Sequence, residues 1–127
     1  MKRSTALQPL SREHHTALTL AKACERAAQS RDGKQIIETC QRVIRAFAVE
    51  LEPHFQVEEQ SLLPLLHDAE SQPLAQRTQA DHQQLRALLD SLRKNDIEAL
   101  DNFGKLLSAH VRFEERELFP ALESLLP

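Results

Sequence analysis

An all-α, up-down-up-down four-helix bundle built from two related helical hairpins is the fold class that this sequence predicts, and three observations predict it. Leu, Ala, Glu, Gln and Arg dominate the 127 residues while only two glycines are present, so helix is favoured nearly everywhere and material for tight turns is scarce. Apolar residues recur three and four positions apart in four segments joined by short polar connections, with no strand-like alternation. The block HFQVEEQSLLPLL at 54–66 returns 56 positions later as HVRFEERELFPAL at 110–122.

Each segment has its own start and stop. Ser11 precedes the first, which runs to about Gln29 with His14, Ala17, Leu18, Ala21, Cys24 and Ala28 on one face. After the turn SRDG, a second helix starts near Gln35. It carries Ile36, Cys40, Val43, Ile44, Phe47, Leu51, His54, Glu58 and Leu62. Its stripe continues past Pro53, where a lost backbone hydrogen bond predicts a kink just before His54. HDAESQP separates it from a third helix, with Ser71 as a candidate cap, Pro73 in the first turn and Leu74, Thr78, His82, Leu85, Leu89 and Leu92 facing inward. Beyond RKND, Ile97, Leu100, Phe103, Leu107, His110, Glu114 and Leu118 line the fourth. Short connections make neighbouring helices antiparallel. The repeated block then relates the two hairpins by an approximate two-fold axis, since two copies are too few for a solenoid. Pro64 and Pro120 end or bend the helices below the block.

At this length the chain fits a single domain, residues 1–127, with the bundle spanning about 10–126. A formal charge of -3 with no basic stripe argues against a nucleic-acid partner. No apolar run approaches the roughly 20 residues that cross a bilayer, and MKRSTALQPLSREHH has no apolar signal core; the expectation is a cytoplasmic protein with no membrane partner. Cys24 and Cys40 fall on or beside apolar stripes and read as small buried hydrophobes in a reducing compartment, although a hairpin could bring them together as a redox pair.

The repeated block carries the chemistry. Residues four apart on a helix stand one above the other, about 6 Å along the axis. His54 with Glu58, and His110 with Glu114, therefore each direct an imidazole and a carboxylate inward. The other two helices each place a histidine, His14 and His82, on their inward faces. Burying these groups without partners costs several kcal/mol apiece; metal coordination removes that cost. A lone His-x-x-x-Glu is most often a surface pair, but two copies in related contexts with two more inward histidines make a convergent set. Four imidazoles and two carboxylates without a thiolate point away from a cysteine-rich structural zinc site. They are too many for one tetrahedral ion and suit two ions bridged by Glu58 and Glu114. Iron is the first expectation, with manganese or zinc as alternatives. His15 shares the face of Thr19, Lys22 and Arg26 and reads as solvated; His67 reads as a helix-end histidine. Glu59, Glu115 and Glu117 read as exposed or outer carboxylates, and Glu13 and Asp81 as capping or solvated groups.

From about Pro9 to Leu126 the chain resembles the hemerythrin-like, or HHE cation-binding, domain family. The likeness rests on Glu-His-His at 13–15, PHFQVEE at 53–59, Asp-His at 81–82 and HVRFEERELFP at 110–120. It implies a four-helix bundle around a non-haem di-iron centre and ligand roles for His14, His54, Glu58, His82, His110 and Glu114. The oxygen-carrying hemerythrins add a histidine one turn after the third-helix ligand, where this chain has Arg86, and typically use a later aspartate where it has Glu114. Those departures point away from dedicated oxygen transport and toward bacterial HHE domains. The resemblance then implies binding or sensing of dioxygen, nitric oxide or peroxide. Iron–sulfur cluster repair with nitric oxide detoxification, and a purely structural metal module, are the alternatives.

Overall fold

Three of the protein's six prolines interrupt otherwise continuous helical stripes, and the backbone solves each interruption in the same way. In the computed structural model, which describes residues 3–126, the first arm is α1 (Gln8–Ser30). The second runs through α2 (Gly33–Ala46), a widened turn Phe47–Leu51, α3 (Glu52–Val57), a second widened turn Glu58–Leu62 and a tight turn Leu63–Leu65. The third is α4 (Gln72–Ala87) with α5 (Leu89–Arg93), and the fourth is α6 (Ile97–Phe113), a widened turn Glu114–Leu118 and α7 (Phe119–Glu123). No strand occurs among the described residues.

The widened turns precede Pro53, Pro64 and Pro120. In each, the residue before proline donates its N–H five residues back: Glu52 to Phe47, Leu63 to Glu58 and Phe119 to Glu114. Proline lacks an N–H, and its ring clashes with the carbonyl four residues back. One extra residue in the turn relieves that clash while the backbone stays helical. The kink expected before His54 is thus an expanded turn upstream of it. Two of these turns begin on Glu58 and Glu114, which places a backbone irregularity at the chemically important level of the bundle.

Helix ends follow local chemistry. Asp32 and Asp96 cap α2 and α6, accepting from Lys34 N–H and from Glu98 and Ala99 N–H respectively, contacts of a kind that stabilise by about 1 kcal/mol each. α1 starts three residues before Ser11, with Pro9 in its first turn where the missing N–H costs nothing. The Ser11 hydroxyl donates to Glu115 instead of capping. Nor does the Ser71 side chain cap α4; its N–H and hydroxyl both donate to Asp68. With glycine scarce, Arg31 and Asn95 adopt the left-handed conformation at two turns, with φ of 53° and 59°.

Each arm packs on the next and the fourth closes onto the first, the adjacency of an up-down-up-down bundle. Two apolar clusters fill it. One gathers Leu20, Val43, Phe47, Phe55, Leu85, Phe103 and Leu107; the other gathers Leu7, Leu10, Leu62, Leu66, Leu118, Phe119 and Leu122 at the opposite end. On the first arm His14 lies between Leu10 of the second cluster and Ala17 of the first. Cys24 and Cys40 are both buried and unbonded. Burial, reinforced by Cys40, pushes the Cys24 thiol up to about 12, so it behaves as a small neutral hydrophobe.

The tightest contact between arms is α1 against α6. A Cβ added to Gly104 would stand 2.7 Å from the Ala21 carbonyl oxygen and 3.0 Å from Cys24 Cβ. Alanine would favour the helix by about 1 kcal/mol, but overpacking against a fixed carbonyl costs about 1–3 kcal/mol. Gly104→Ala should therefore lower the urea unfolding midpoint; an unchanged or raised midpoint would mean that α1 and α6 separate at no cost.

Candidate metal centre

Six side chains converge between the two apolar clusters. α1 supplies His14, α3 supplies His54, and the turn following α3 begins with Glu58. α4 supplies His82, α6 supplies His110, and the turn following α6 begins with Glu114. All six are buried, none more than 6% exposed. The helical spacing that suggested them places them where it should, and the structure brings all six together.

Each histidine turns Nε2 inward. His14 Nε2 lies 2.7 Å from Glu114 Oε1, and His82 Nε2 lies 2.9 Å from Glu58 Oε1. Within the arms, His54 Nε2 is 3.0 Å from Glu58 Oε2 and His110 Nε2 is 3.1 Å from Glu114 Oε2. The distances pair off as an approximate two-fold requires, exchanging α1 with α4 and the second arm with the fourth. Donor atoms form two quartets, His14–His54–Glu58–Glu114 and Glu58–His82–His110–Glu114, each with its atoms within 4.8 Å of one another. Both glutamates belong to both quartets.

Every Nδ1 faces a second carboxylate. His14 donates to Glu115 (2.6 Å), His54 to Glu13 (3.0 Å), His82 to Glu59 (2.6 Å) and His110 to Asp81 (2.9 Å). An ionised carboxylate only accepts, so each Nδ1 carries a proton, and loss of the proton at Nε2 leaves a lone pair directed at the centre. This orientation by outer carboxylates is the arrangement that metal-ligating histidines use. Arginines back three of the four acids: Arg3 pairs with Glu115, Arg86 with Glu59 and Arg77 with Asp81. Phe55 stacks on His82 with ring centres 3.9 Å apart, and Phe119 stacks on His14 at 5.1 Å.

Asp81, read from the sequence as a capping or solvated group, is instead buried against His110, whereas Glu13 stays exposed as read while also meeting His54. Each directly precedes an inward histidine, so it lies about 100° around the helix and meets the histidine of the neighbouring arm. The Glu-His and Asp-His pairs were the available signal. Glu59 and Glu115 take the outer role allowed for them. Glu117, His15 and His67 are exposed, with His67 in the loop before α4. Arg86, which stands in place of an extra histidine, binds Glu52 and Glu59 and takes no place in either quartet.

The electrostatics call for cations. Burial by itself lowers the His54 pKa, but hydrogen bonds and charge from Glu114 and Glu58 raise it to about 11. His110 rises to about 10 against burial, through the Glu114 charge and its bonds to Asp81 and Glu114. Burial and the Glu114 charge raise Glu58, whereas Glu114 is held well below the usual carboxylate range, despite burial, by His110, His14 and His54. Two carboxylates cannot both carry charge here unless positive charge lies between them. Even with these contacts, His110 Nε2 and Glu114 Oε2 remain buried without a hydrogen-bond partner. That orphaned pair, and an all-nitrogen and oxygen donor set, fit a bound metal.

The pH dependence follows from the histidines. His54 and His110 have folded pKa values above their ordinary 6.5. Their stabilisation is thus fully present below about pH 6.5 and is lost as pH rises toward 10 and 11. A metal at Nε2 must displace those protons, so affinity should rise with pH. Calorimetric melts of metal-free protein should show a falling transition temperature from pH 7 to pH 10, with a shallower fall once metal is bound. Parallel profiles would contradict the charged-imidazole assignment.

Searches among curated proteins and among solved structures each returned no match. A family model described as the hemerythrin HHE cation binding domain matches residues 5–122, a span that contains every donor of both quartets. The chain belongs to the hemerythrin HHE cation-binding family, and its buried His/Glu clusters indicate a metal-binding site.

Proposed function

We propose that this is a non-haem di-iron protein whose centre binds a small ligand, either a diatomic gas (dioxygen or nitric oxide) or peroxide. The observation that carries the reading is the sharing of Glu58 and Glu114 between two otherwise separate histidine pairs. Each carboxylate directs one oxygen to each side: Glu58 Oε2 toward His54 and Oε1 toward His82, Glu114 Oε1 toward His14 and Oε2 toward His110. When bound, paired iron supplies reversible redox chemistry and coordination positions that the six side chains leave open. Manganese or zinc would be held by the same nitrogen and oxygen atoms.

The protein's own residues do the rest. His14, His54, His82 and His110 hold the centre with tautomers set by Glu115, Glu13, Glu59 and Asp81. The two apolar clusters exclude bulk water above and below it. A cavity of about 100 Å³ reaches His14, His54, His110 and Glu114. It favours ligand binding over a purely structural metal module, which has no use for it. The chain contains no Tyr or Trp, so a tyrosyl radical and a long aromatic electron relay are excluded. This composition supports binding or sensing ahead of demanding oxidation. Nitric oxide detoxification coupled to iron–sulfur repair remains an activity that the same centre would support. No helix among the described residues is long and apolar enough to cross a membrane. The buried unbonded thiols and acidic balance support a cytoplasmic setting without a nucleic-acid partner.

Protein produced with iron supplied should hold about two ions per chain and show near-ultraviolet charge-transfer absorption when oxidised. Glu114→Ala removes a donor from both quartets and should cut iron more severely than His82→Ala, which touches one. Wild-type protein holding far less than one iron per chain, with no such absorption, would overturn the reading.

A further inference from the structure

The four inward histidines are alike at Nε2 and unlike on their outer sides. The His82 ring is held twice over: Glu59 accepts from its Nδ1 at 2.6 Å, and Phe55 lies on its face at 13°. Arg86 backs both supports, with its guanidinium 3.0 Å from Glu59 and 5.7 Å from the centre of the Phe55 ring. The His14 ring has the same three-part holder, built from other segments. Glu115 accepts from its Nδ1, Phe119 stacks on it at 14°, and Arg3 reaches both Glu115 and the Phe119 ring. His110 meets Asp81, and Arg77 stands 3.5 Å from that acid while covering Phe113 at 4.4 Å. His54 has a weaker holder. Its Nδ1 donates to Glu13 at 3.0 Å, and that side chain is 53% exposed. Among the described residues no arginine or lysine pairs with Glu13, and Phe55 meets the His54 ring only edge-on, at 79°.

We propose that these unequal holders make the two metal positions unequal. The His82–His110 quartet, with both imidazoles braced by arginine-backed acids, takes its cation first and holds it tighter; the His14–His54 quartet is the exchangeable position, with His54 as the ligand that lets go. The inference deepens the two-ion reading and rests on it. Glu58 and Glu114 belong to both quartets and serve them alike, so the difference lies in the outer supports. An imidazole already fixed in its binding orientation loses little freedom when it ligates, and weakening the outer partner of a ligating histidine lowers metal affinity by about 10–100-fold. Glu13 gives His54 little of that fixing, since water competes for an exposed carboxylate and salt screens it. Arg86 is thus a positioning residue, acting on the centre through Glu59 and Phe55.

Zinc ion, added stepwise to metal-free protein carrying isotope-labelled histidine, tests it by magnetic resonance. The Nε2 resonances of His82 and His110 should move during the first equivalent and those of His14 and His54 during the second, with the second step weaker by about tenfold or more. Arg86→Gln should weaken the first step by about tenfold and make all four resonances move together. Arg86→Lys, which keeps the charge without the planar fork, should restore part of the order. A general loss of stability would not reorder the resonances. Movement of His14 and His54 first, or of all four together in wild-type protein, would overturn the inference with the two-ion reading intact. An Arg86→Gln variant that keeps the wild-type order would overturn it as well. Saturation at fewer than two zinc ions per chain would overturn the two-ion reading, and the inference with it.

Discussion

Two carboxylates, Glu58 and Glu114, are fully buried in the middle of the bundle with their oxygens turned toward shared partners. In water each would be solvated; here the effective penalty of burying an unpaired ion is several kcal/mol. The rest of the architecture can be understood as what makes that burial tolerable. Four imidazoles surround the pair, four further acids hold those imidazoles, and arginines hold three of the acids. Negative and positive charge alternate outward from the centre to the surface. An apolar cluster above and another below keep the dielectric low, so the same partners that compensate the glutamates also bind strongly to them.

The alternation is threaded between arms rather than along them. Glu115 of the fourth arm holds His14 of the first, and Glu59 of the second holds His82 of the third. Glu13 and Asp81 reach in the other direction, from the first and third arms to His54 and His110. Each hairpin is therefore tied to its neighbours through the centre as well as through packing. The centre contributes to fold specificity as well as to chemistry, because sliding one arm by a turn would strand several buried charges at once. The widened turns at Glu58 and Glu114 belong to the same logic, since a proline can follow each glutamate without breaking the arm that presents it.

How much of this was legible in the sequence depends on how local each feature is. The four arms and all six inward donors follow from helical periodicity, because His54 with Glu58 and His110 with Glu114 share a face whatever the neighbouring arms do. The family resemblance, resting on the same residues, agrees with the family match. The role of Asp81 was misread because it acts across an interface, and its partner depends on how far each arm is rotated about its axis. Ser11 and Ser71 resemble caps in composition, but Pro9 lets α1 start earlier and Asp68 captures Ser71. At Pro53 the irregularity expected before His54 takes the form of a widened turn upstream, where an extra residue relieves the ring clash.

We propose that two cations are held side by side by Glu58 and Glu114. Anomalous diffraction from a crystal of iron-loaded protein, collected on both sides of the iron absorption edge, measures this most directly. The account predicts two separate peaks, one within the His14–His54 quartet and one within the His82–His110 quartet, with both glutamates spanning them. A single peak at full loading, or either glutamate turned outward into solvent, would contradict it.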